Sequence, residues 1–440
     1  MVRQRNIVSA ILTIALWLTA FTAYAAPEIQ HWQTAQGMRV YFVPAPELPM
    51  LDIRLAMDAG SGRDGELPGL ARLTSGLLNK GTGKLSADDV ASRFEDVGAQ
   101  YSARAGRDML TISFRSLNDA QFLDPALETL MGVVTAPSFP ERDFERAKNL
   151  TQITLQEQDQ DPGDIGAKAF YRAVYGDHPF ANPVTGTEES VAAIKREHVA
   201  EFHKRYFVAA NTVMALVGDV SRDQAEKIAG RISAGLSSGE KAPPLPEVKP
   251  LTESKTVRVP FPSAQAHVYI GQPGMSRRDP HYFPLYVGNH VLGGSGFNSR
   301  LVKEVRIDRG LSYSVYSYFV PQSVKGPFLV NLQTRVDQAE EAVQLVKDTI
   351  KEFLRRGPSD VELTASTRNI TGGFPLRIDS NNDVVEYLSA IAYYELPLNY
   401  LNAFNGKVTA VKKAAIRTAF QERIDLDKLV TVIVGGNGEG

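Results

Sequence analysis

GELPGLARLTSGLLNKGT, residues 65–82, is the stretch that best predicts the fold of this chain. Its apolar residues recur at helical spacing and predict a helix over residues 67–79. Around it, alternation and helical spacing predict strands at 38–43 and 51–58, a second helix at 87–97, and a pair of strands within 100–117. This mixture of sheet and helix predicts an α+β fold in which helices cover a sheet.

The two halves of the chain resemble each other. Three pairs of segments match in the same order: 175–180 with 394–398 (allowing one gap), 194–196 with 411–413, and 216–218 with 433–435. A repeat that covers helix, strand and glycine predicts a duplicated domain. A stretch rich in Gly, Ser, Lys, Glu and Pro predicts a linker at 235–250, with an N-terminal domain over 26–234 and a C-terminal domain over 251–440.

The length, charge and composition of the chain exclude several kinds of protein. A chain of 440 residues exceeds the size that one hydrophobic core usually fills, so at least two domains are expected. The formal net charge of -2, from 48 Lys+Arg against 50 Asp+Glu, provides no basic field for nucleic acid. The chain has no cysteine and therefore no thiolate for a metal. His198 and His203 come closest to a ligand pair, but five residues on a helix separate their directions by about 140°.

The N-terminus has the pattern of an export signal. Arg3 and Arg5 precede an apolar run over 7–21, and Ala23 and Ala25 provide small residues for cleavage. We expect residues 1–25 to be a signal peptide that is cleaved after Ala25, which predicts a periplasmic protein without stable membrane insertion. The alternative is an uncleaved anchor, although the apolar run is shorter than the roughly 20 residues that span a bilayer.

Residues 65–82 also resemble the zinc helix of the pitrilysin/insulinase peptidases, in which Gly-Leu-Ala-His-x-x-Glu-His is followed by an apolar pair and Lys-Gly-Thr. The resemblance implies that Arg72 and Gly76 stand at the two histidine positions and Ser75 at the general base. Thr154 stands at the third ligand, and Glu157 lies one helical turn beyond it. Arginine stays protonated and glycine has no side chain, so neither binds zinc. We expect no cofactor on this chain.

A second resemblance lies in the C-terminal half. Active members of the pitrilysin/insulinase family carry an Arg-x-x-x-x-x-x-Tyr pair in this half, which binds substrate opposite the zinc. Arg306 and Tyr313 match that pair. Helical spacing over 298–309, a capping Gly310 and a strand from Leu311 would bring the pair to one junction. The alternative is a helix-surface arginine and a half-buried sheet aromatic. The preceding glycine-rich loop lacks the Gly-Lys-Ser/Thr end of a phosphate loop.

These resemblances imply a fold and a function. We expect two homologous domains, each a mostly antiparallel sheet covered by helices, that form half of a clamshell. The predicted function is the non-catalytic substrate-binding subunit of a periplasmic heterodimeric zinc metallopeptidase that acts on peptides or unfolded proteins. A homologous subunit would bear the zinc. The alternative is a structural or peptide-holding family member. A hydrolase that uses Thr74 or Ser75 is disfavoured, because no base lies nearby in the sequence.

Overall fold

The computed structural model describes residues 28–436, so the predicted signal peptide lies outside the described residues. The strands within this range form two large sheets and one small hairpin. They are β1 (Gln30–Gln33), β2 (Arg39–Pro44), β3 (Met50–Met57), β4 (Gly81–Thr82), β5 (Leu85–Ser86), β6 (Gln100–Ala105), β7 (Leu110–Leu117), β8 (Thr212–Gly218), β9 (Lys255–Val259), β10 (Gln265–Pro273), β11 (Ser314–Phe319), β12 (Pro327–Arg335) and β13 (Val430–Val434).

The α-helices of this range surround the two sheets, and none of them is long and apolar enough to cross a bilayer. They are α1 (Leu70–Leu77), α2 (Ala87–Glu95), α3 (Ala120–Thr135), α4 (Glu141–Gln158), α5 (Pro162–Tyr175), α6 (Glu188–Ala193), α7 (Arg196–Tyr206), α8 (Arg222–Gly235), α9 (Tyr282–Asn289), α10 (Ala339–Arg356), α11 (Asp360–Gly373), α12 (Asn381–Tyr393), α13 (Tyr400–Thr409) and α14 (Lys413–Arg423). Two further segments, His290–Gly294 and Val302–Asp308, are π-helical.

The two large sheets share one topology. The N-terminal sheet has the order β1-β2-β8-β3-β7-β6 and the C-terminal sheet the order β9-β13-β10-β12-β11. Without the extra edge strand β1, the two orders correspond strand for strand. In each sheet one pair is parallel, β2 with β8 and β9 with β13, and the other pairs are antiparallel. The α+β class and the two homologous domains are therefore confirmed, whereas the exact domain boundaries stay predictions.

A glycine ends the last strand of each half at the same place. Gly218 has a φ of 156° and Gly435 a φ of 146°. A Cβ atom would lie 2.3 Å from the Met50 carbonyl oxygen at Gly218, and 2.7 Å from the Gln265 carbonyl oxygen at Gly435. Any side chain would push the neighbouring antiparallel strand away. The same close approach of two backbones therefore requires glycine in both halves.

The two halves exchange helices. Helix α5 belongs to the N-terminal half but packs on β10 and β13, and helix α12 belongs to the C-terminal half but packs on β8, β3 and β2. Phe170 of α5 is fully buried and belongs to one apolar cluster with Tyr269 of β10. Ala392 of α12 is likewise buried with Val213 of β8. Each sheet is therefore covered on one face by its own helices, as expected, and on the other by a helix of the opposite half.

The packing of α5 on the C-terminal sheet can be tested at Gly166, because a Cβ atom there would lie 2.3 Å from the Tyr269 ring. The ring is held in place by a hydrogen bond from its hydroxyl to the Gly163 carbonyl oxygen (2.7 Å). We expect Gly166→Ala to lower the free energy of unfolding by about 1–3 kcal/mol through overpacking. The control Gly230→Ala meets no atom within 4 Å and should raise it by roughly 0.5–1 kcal/mol. Urea titration measures both, and equal stabilisation by the two substitutions would contradict the packing.

Candidate functional site

Helix α1 carries the degenerate metal positions and is shorter than predicted. It spans Leu70–Leu77 instead of 67–79, because Gly69 at its N-cap has a left-handed φ of 99°. The cap is supplied by Asp64, whose carboxylate accepts hydrogen bonds from the backbone N–H groups of Gly69 (2.8 Å) and Ala71 (2.8 Å). The capping role of Asp64 was not predicted from the sequence. A capping side chain is normally expected at the N-cap itself, and Asp64 lies five residues before it.

The replaced side chains on α1 make no catalytic arrangement. Arg72 is exposed, and the space that a side chain at Gly76 would occupy is open, with no atom within 4 Å of its ideal Cβ position. The hydroxyl of Ser75 donates to the Arg72 carbonyl oxygen (2.8 Å), and that of Thr74 donates to the Leu70 carbonyl oxygen (2.8 Å). Both hydroxyls are therefore occupied by the helix backbone, and neither is activated by a base.

Thr154 lies on α4, the helix that packs against α1. Its hydroxyl donates to the Leu150 carbonyl oxygen (3.0 Å). Glu157 is exposed near the end of the same helix. A single carboxylate beside arginine, serine and glycine does not make the three-ligand set of a catalytic zinc site.

The C-terminal pair is brought together by a stack of three side chains. The Arg306 guanidinium carbon lies 4.9 Å from the centre of the Tyr313 ring and 4.7 Å from the centre of the Phe297 ring. Tyr313 is 82% exposed and Phe297 is 67% exposed. Within residues 28–436, no hydrogen bond or ion pair joins Arg306 to another side chain. The cation is thus held by ring faces on the protein surface, and its N–H groups remain free to donate.

The backbone around this pair differs from the prediction. An α-helix was expected over 298–309, but Val302–Asp308 is π-helical, a form that often occurs at functional sites. Gly310, at a φ of 63°, ends the segment and donates to the Arg306 carbonyl oxygen (3.1 Å). The expected strand from Leu311 begins only at Ser314. Tyr313 therefore lies in an irregular link instead of the sheet, which explains its exposure.

Phe297 was missed in the sequence. It follows Gly293, Gly294, Ser295 and Gly296, and glycine-rich loops give no periodicity from which to predict a contact. The one available signal was a large aromatic side chain in a loop of small residues, where it cannot fill a core position.

Comparison with known proteins gives the class of protein. Residues 40–188 match the insulinase family (peptidase family M16), and residues 193–369 match the peptidase M16 inactive domain. A Pseudomonas fluorescens structure described as a peptidase M16 inactive domain is 38% identical, with a TM-score of 0.90, and the match covers 92% of this chain and 97% of that one. The chain therefore belongs to the M16 family, the family of the pitrilysin/insulinase peptidases.

Two curated relatives extend over most of the chain. The "Non-peptidase homolog YmxG" of Helicobacter pylori is 27% identical over 96% of this chain and 97% of its own length. The "Uncharacterized zinc protease YmxG" of Bacillus subtilis is 26% identical over 80% of this chain and 85% of its own length. The inactive-domain matches, the name of the Helicobacter pylori relative and the residues on α1 support a non-catalytic member of the family, whereas the name of the Bacillus subtilis relative does not bear on this point.

The purified chain is expected to bind no stoichiometric zinc, because Arg72, Ser75 and Gly76 supply no ligand at the motif positions. Elemental analysis after dialysis against a weak chelator measures the zinc content. About one tightly held zinc ion per chain would contradict this prediction.

Asp64 is expected to make stability depend on pH. Burial raises the pKa of its carboxyl group to about 7, despite the two backbone N–H groups that favour the charged form. Because the folded pKa lies above the unfolded one, this stability is fully present below about pH 4 and is lost as pH rises to about 7. Between pH 5 and pH 8 the loss should be roughly 2–3 kcal/mol in the free energy of unfolding.

The variant Asp64→Asn should lose this pH dependence in urea titrations at the two pH values, since it has no ionisable group at that position. The control is Asp119→Asn, which removes the carboxylate of an exposed helix cap and should keep the dependence of the unmodified chain. Identical pH dependence in Asp64→Asn and the unmodified chain would show that the cap does not bind a proton in this range.

Proposed function

We propose that this chain is the substrate-binding, non-catalytic subunit of a periplasmic heterodimeric zinc metallopeptidase that acts on peptides or unfolded proteins. The observation that carries the proposal is the combination of two features. The half-buried Arg306 has its guanidinium carbon 4.9 Å from the ring centre of the exposed Tyr313, and helix α1 lacks metal ligands at the motif positions. A chain that presents substrate-binding donors but no metal site is complete only with a partner. The zinc-bearing partner is a homologous subunit in this proposal.

The chemistry of the pair suits a peptide backbone. A guanidinium offers five N–H donors in a planar fork, and a phenol offers one O–H donor, so together they can hold successive carbonyl groups of an extended peptide. When a peptide carbonyl becomes tetrahedral, its oxygen gains negative charge, and donors aimed at that position stabilise the transition state. The zinc of the partner subunit would polarise the same carbonyl. The exposed ring of Phe297 would contact apolar side chains of the substrate.

The location rests on the N-terminal residues of the sequence. The basic start, the apolar run over 7–21 and the Ala23-Tyr24-Ala25 end support export to the periplasm with cleavage after Ala25. The absence of cysteine suits an oxidising compartment, because the fold requires no disulfide there.

A peptide-holding role without any part in proteolysis is the second candidate. It is favoured by the two exposed rings of Phe297 and Tyr313, which can grip a peptide without taking part in chemistry. The two candidates differ in when the contacts matter. Contacts that only hold substrate affect KM, whereas contacts that strengthen in the transition state affect kcat.

In a reconstituted complex with the zinc-bearing partner, Tyr313→Phe is expected to lower kcat by roughly a hundred- to thousandfold, the usual effect of losing one donor to a developing oxyanion. The ring that stacks on Arg306 is kept in this variant, so only the hydroxyl is removed. Arg306→Lys should also be damaging, because an ammonium cannot reproduce the planar fork. Peptide hydrolysis by the complex gives kcat and KM.

The matched control is Tyr316→Phe, which removes the hydroxyl of another exposed tyrosine on the neighbouring strand and should leave kcat unchanged. A rise in KM alone for Tyr313→Phe would favour the peptide-holding role. Full activity of Tyr313→Phe and Arg306→Lys, with the heterodimer intact by size-exclusion chromatography, would rule out this pair as the substrate-binding site.

A further inference from the structure

A cavity of about 350 Å³ lies where both halves and the inter-domain segment meet. We call it the seam cavity. Its basic lining comes from β2 (Arg39), from the segment before β9 (Lys241) and from the loop after β10 (Arg277 and Arg278). Its acidic lining consists of Asp58 and Glu395.

The charges that line the seam cavity do not balance. Asp58 is neutralised by Arg63, which is not among the residues that line the cavity and donates two hydrogen bonds to the Asp58 carboxylate (2.8 and 2.6 Å). Glu395 then remains as the one carboxylate of the lining for all four basic side chains. It accepts from Arg39 (3.1 Å), Lys241 (3.4 Å) and Arg278. The lining therefore has an excess of positive charge that an anion would neutralise.

Arg277 is the basic side chain of the cavity whose positive charge has no carboxylate partner among the described residues. Its Nε atom is buried and has no hydrogen-bond partner within the described part of the chain. Its Nη1 donates to the Tyr282 hydroxyl (2.6 Å), and the rings of Tyr282 and Tyr400 lie 4.8 and 5.8 Å from the guanidinium carbon. None of the ion pairs among residues 28–436 involves Arg277. Arg277 is half-buried, and a partly desolvated cation without a counter-ion is unfavourable, so a bound anion would stabilise it.

Asp108 lies behind the cavity wall and does not serve as this counter-ion. Its carboxylate accepts from the backbone N–H of Ser323 (2.6 Å), from the Ser323 hydroxyl, and from the Tyr394 hydroxyl (2.9 Å). Burial raises the pKa of Asp108, and hydrogen bonds from Ser323 and Tyr394 oppose that shift. Even if Asp108 is counted as fully ionised, the basic side chains around the seam cavity remain in excess.

Glu395 is held in an unusual backbone conformation at the cavity. Its φ of 51° is left-handed, a region that non-glycine residues rarely occupy without a compensating role. This conformation follows the end of α12 and directs the carboxylate to Arg39, Lys241 and Arg278. The Glu395 carboxylate thus binds three of the basic side chains of the cavity. A carboxylate of a ligand would compete with it for the same donors.

We propose that the seam cavity binds a carboxylate, carried by a small organic acid or by the C-terminus of a peptide. Arginine forks match the planar oxygen pair of a carboxylate, and two arginines of the cavity, Arg277 and Arg278, are adjacent in sequence. A volume of about 350 Å³ is at the small end for ligand pockets, which suits a short acid or one terminal residue. The ligand would contact both halves and the segment between them.

Isothermal titration calorimetry on the purified chain at constant ionic strength tests this proposal, with succinate, trialanine and trialanine amide as probes. We expect saturable binding of succinate or trialanine and none of the amide, and the tighter of the two acids identifies the source of the carboxylate. The double variant Lys241→Gln/Arg278→Gln should bind about tenfold more weakly, as for the loss of charge-assisted hydrogen bonds. Glu395→Gln should bind severalfold more tightly, because it removes the competing carboxylate.

The matched control is Arg335→Gln/Lys413→Gln, which removes one arginine and one lysine of similar exposure elsewhere on the surface and should leave affinity unchanged. The proposal is overturned by absence of saturable binding of both acids, by equal weakening in the control, or by weaker binding in Glu395→Gln. Tighter binding of inorganic phosphate than of either acid would also overturn it. The measurement needs no partner subunit, so it is independent of the Arg306–Tyr313 site.

Discussion

Each half of the molecule buries one face of its sheet under a helix that belongs to the other half. Phe170 of α5 is fully buried against the C-terminal sheet, and Leu388 of α12 is fully buried on the N-terminal sheet. Without the helix from the opposite half, one face of each sheet would be exposed, and an exposed apolar sheet face is unfavourable in water. The two domains therefore pack against each other, which creates both the seam cavity and the hydrogen bonds that Asp108 accepts from Ser323 and Tyr394 of the other half.

Helix α1 has a buried and an exposed face, which explains why it can lack metal ligands and still be required for the fold. Its buried face, with Leu73 and Leu77, belongs to the N-terminal core, whereas Arg72 and Gly76 lie on its exposed face. The two histidine positions of the motif thus lie on the exposed face, whereas stability depends on the buried one. The residues at these exposed positions can therefore differ from metal ligands at little cost to the fold, since surface changes usually alter stability by no more than about 0.5 kcal/mol.

The fold could be predicted from the sequence where local pattern decides it. Periodicity indicated the strand pair β6–β7, and the matched glycines 218 and 435 indicated the duplication, because each position excludes a side chain for the same steric reason. The helix exchange could not be predicted, since α5 has the same amphipathic spacing whichever sheet it covers. The π-helical turn at Val302–Asp308 was missed too, because its buried residues, Val302 and Val305, have the three-residue spacing that an α-helix also has.

The contacts that position the Arg306 guanidinium determine whether its N–H groups can bind a ligand. Other arginines within residues 28–436 are held by carboxylates, as Arg300 is by Glu362 and Arg423 by Asp279, and those contacts occupy their N–H donors. Arg306 is instead positioned by the faces of two aromatic rings. A ring face orients a guanidinium without accepting a directed hydrogen bond at its edge. The stack therefore fixes the direction of the fork and leaves its donors free, a combination that recognition of a peptide carbonyl requires and that a surface ion pair does not provide.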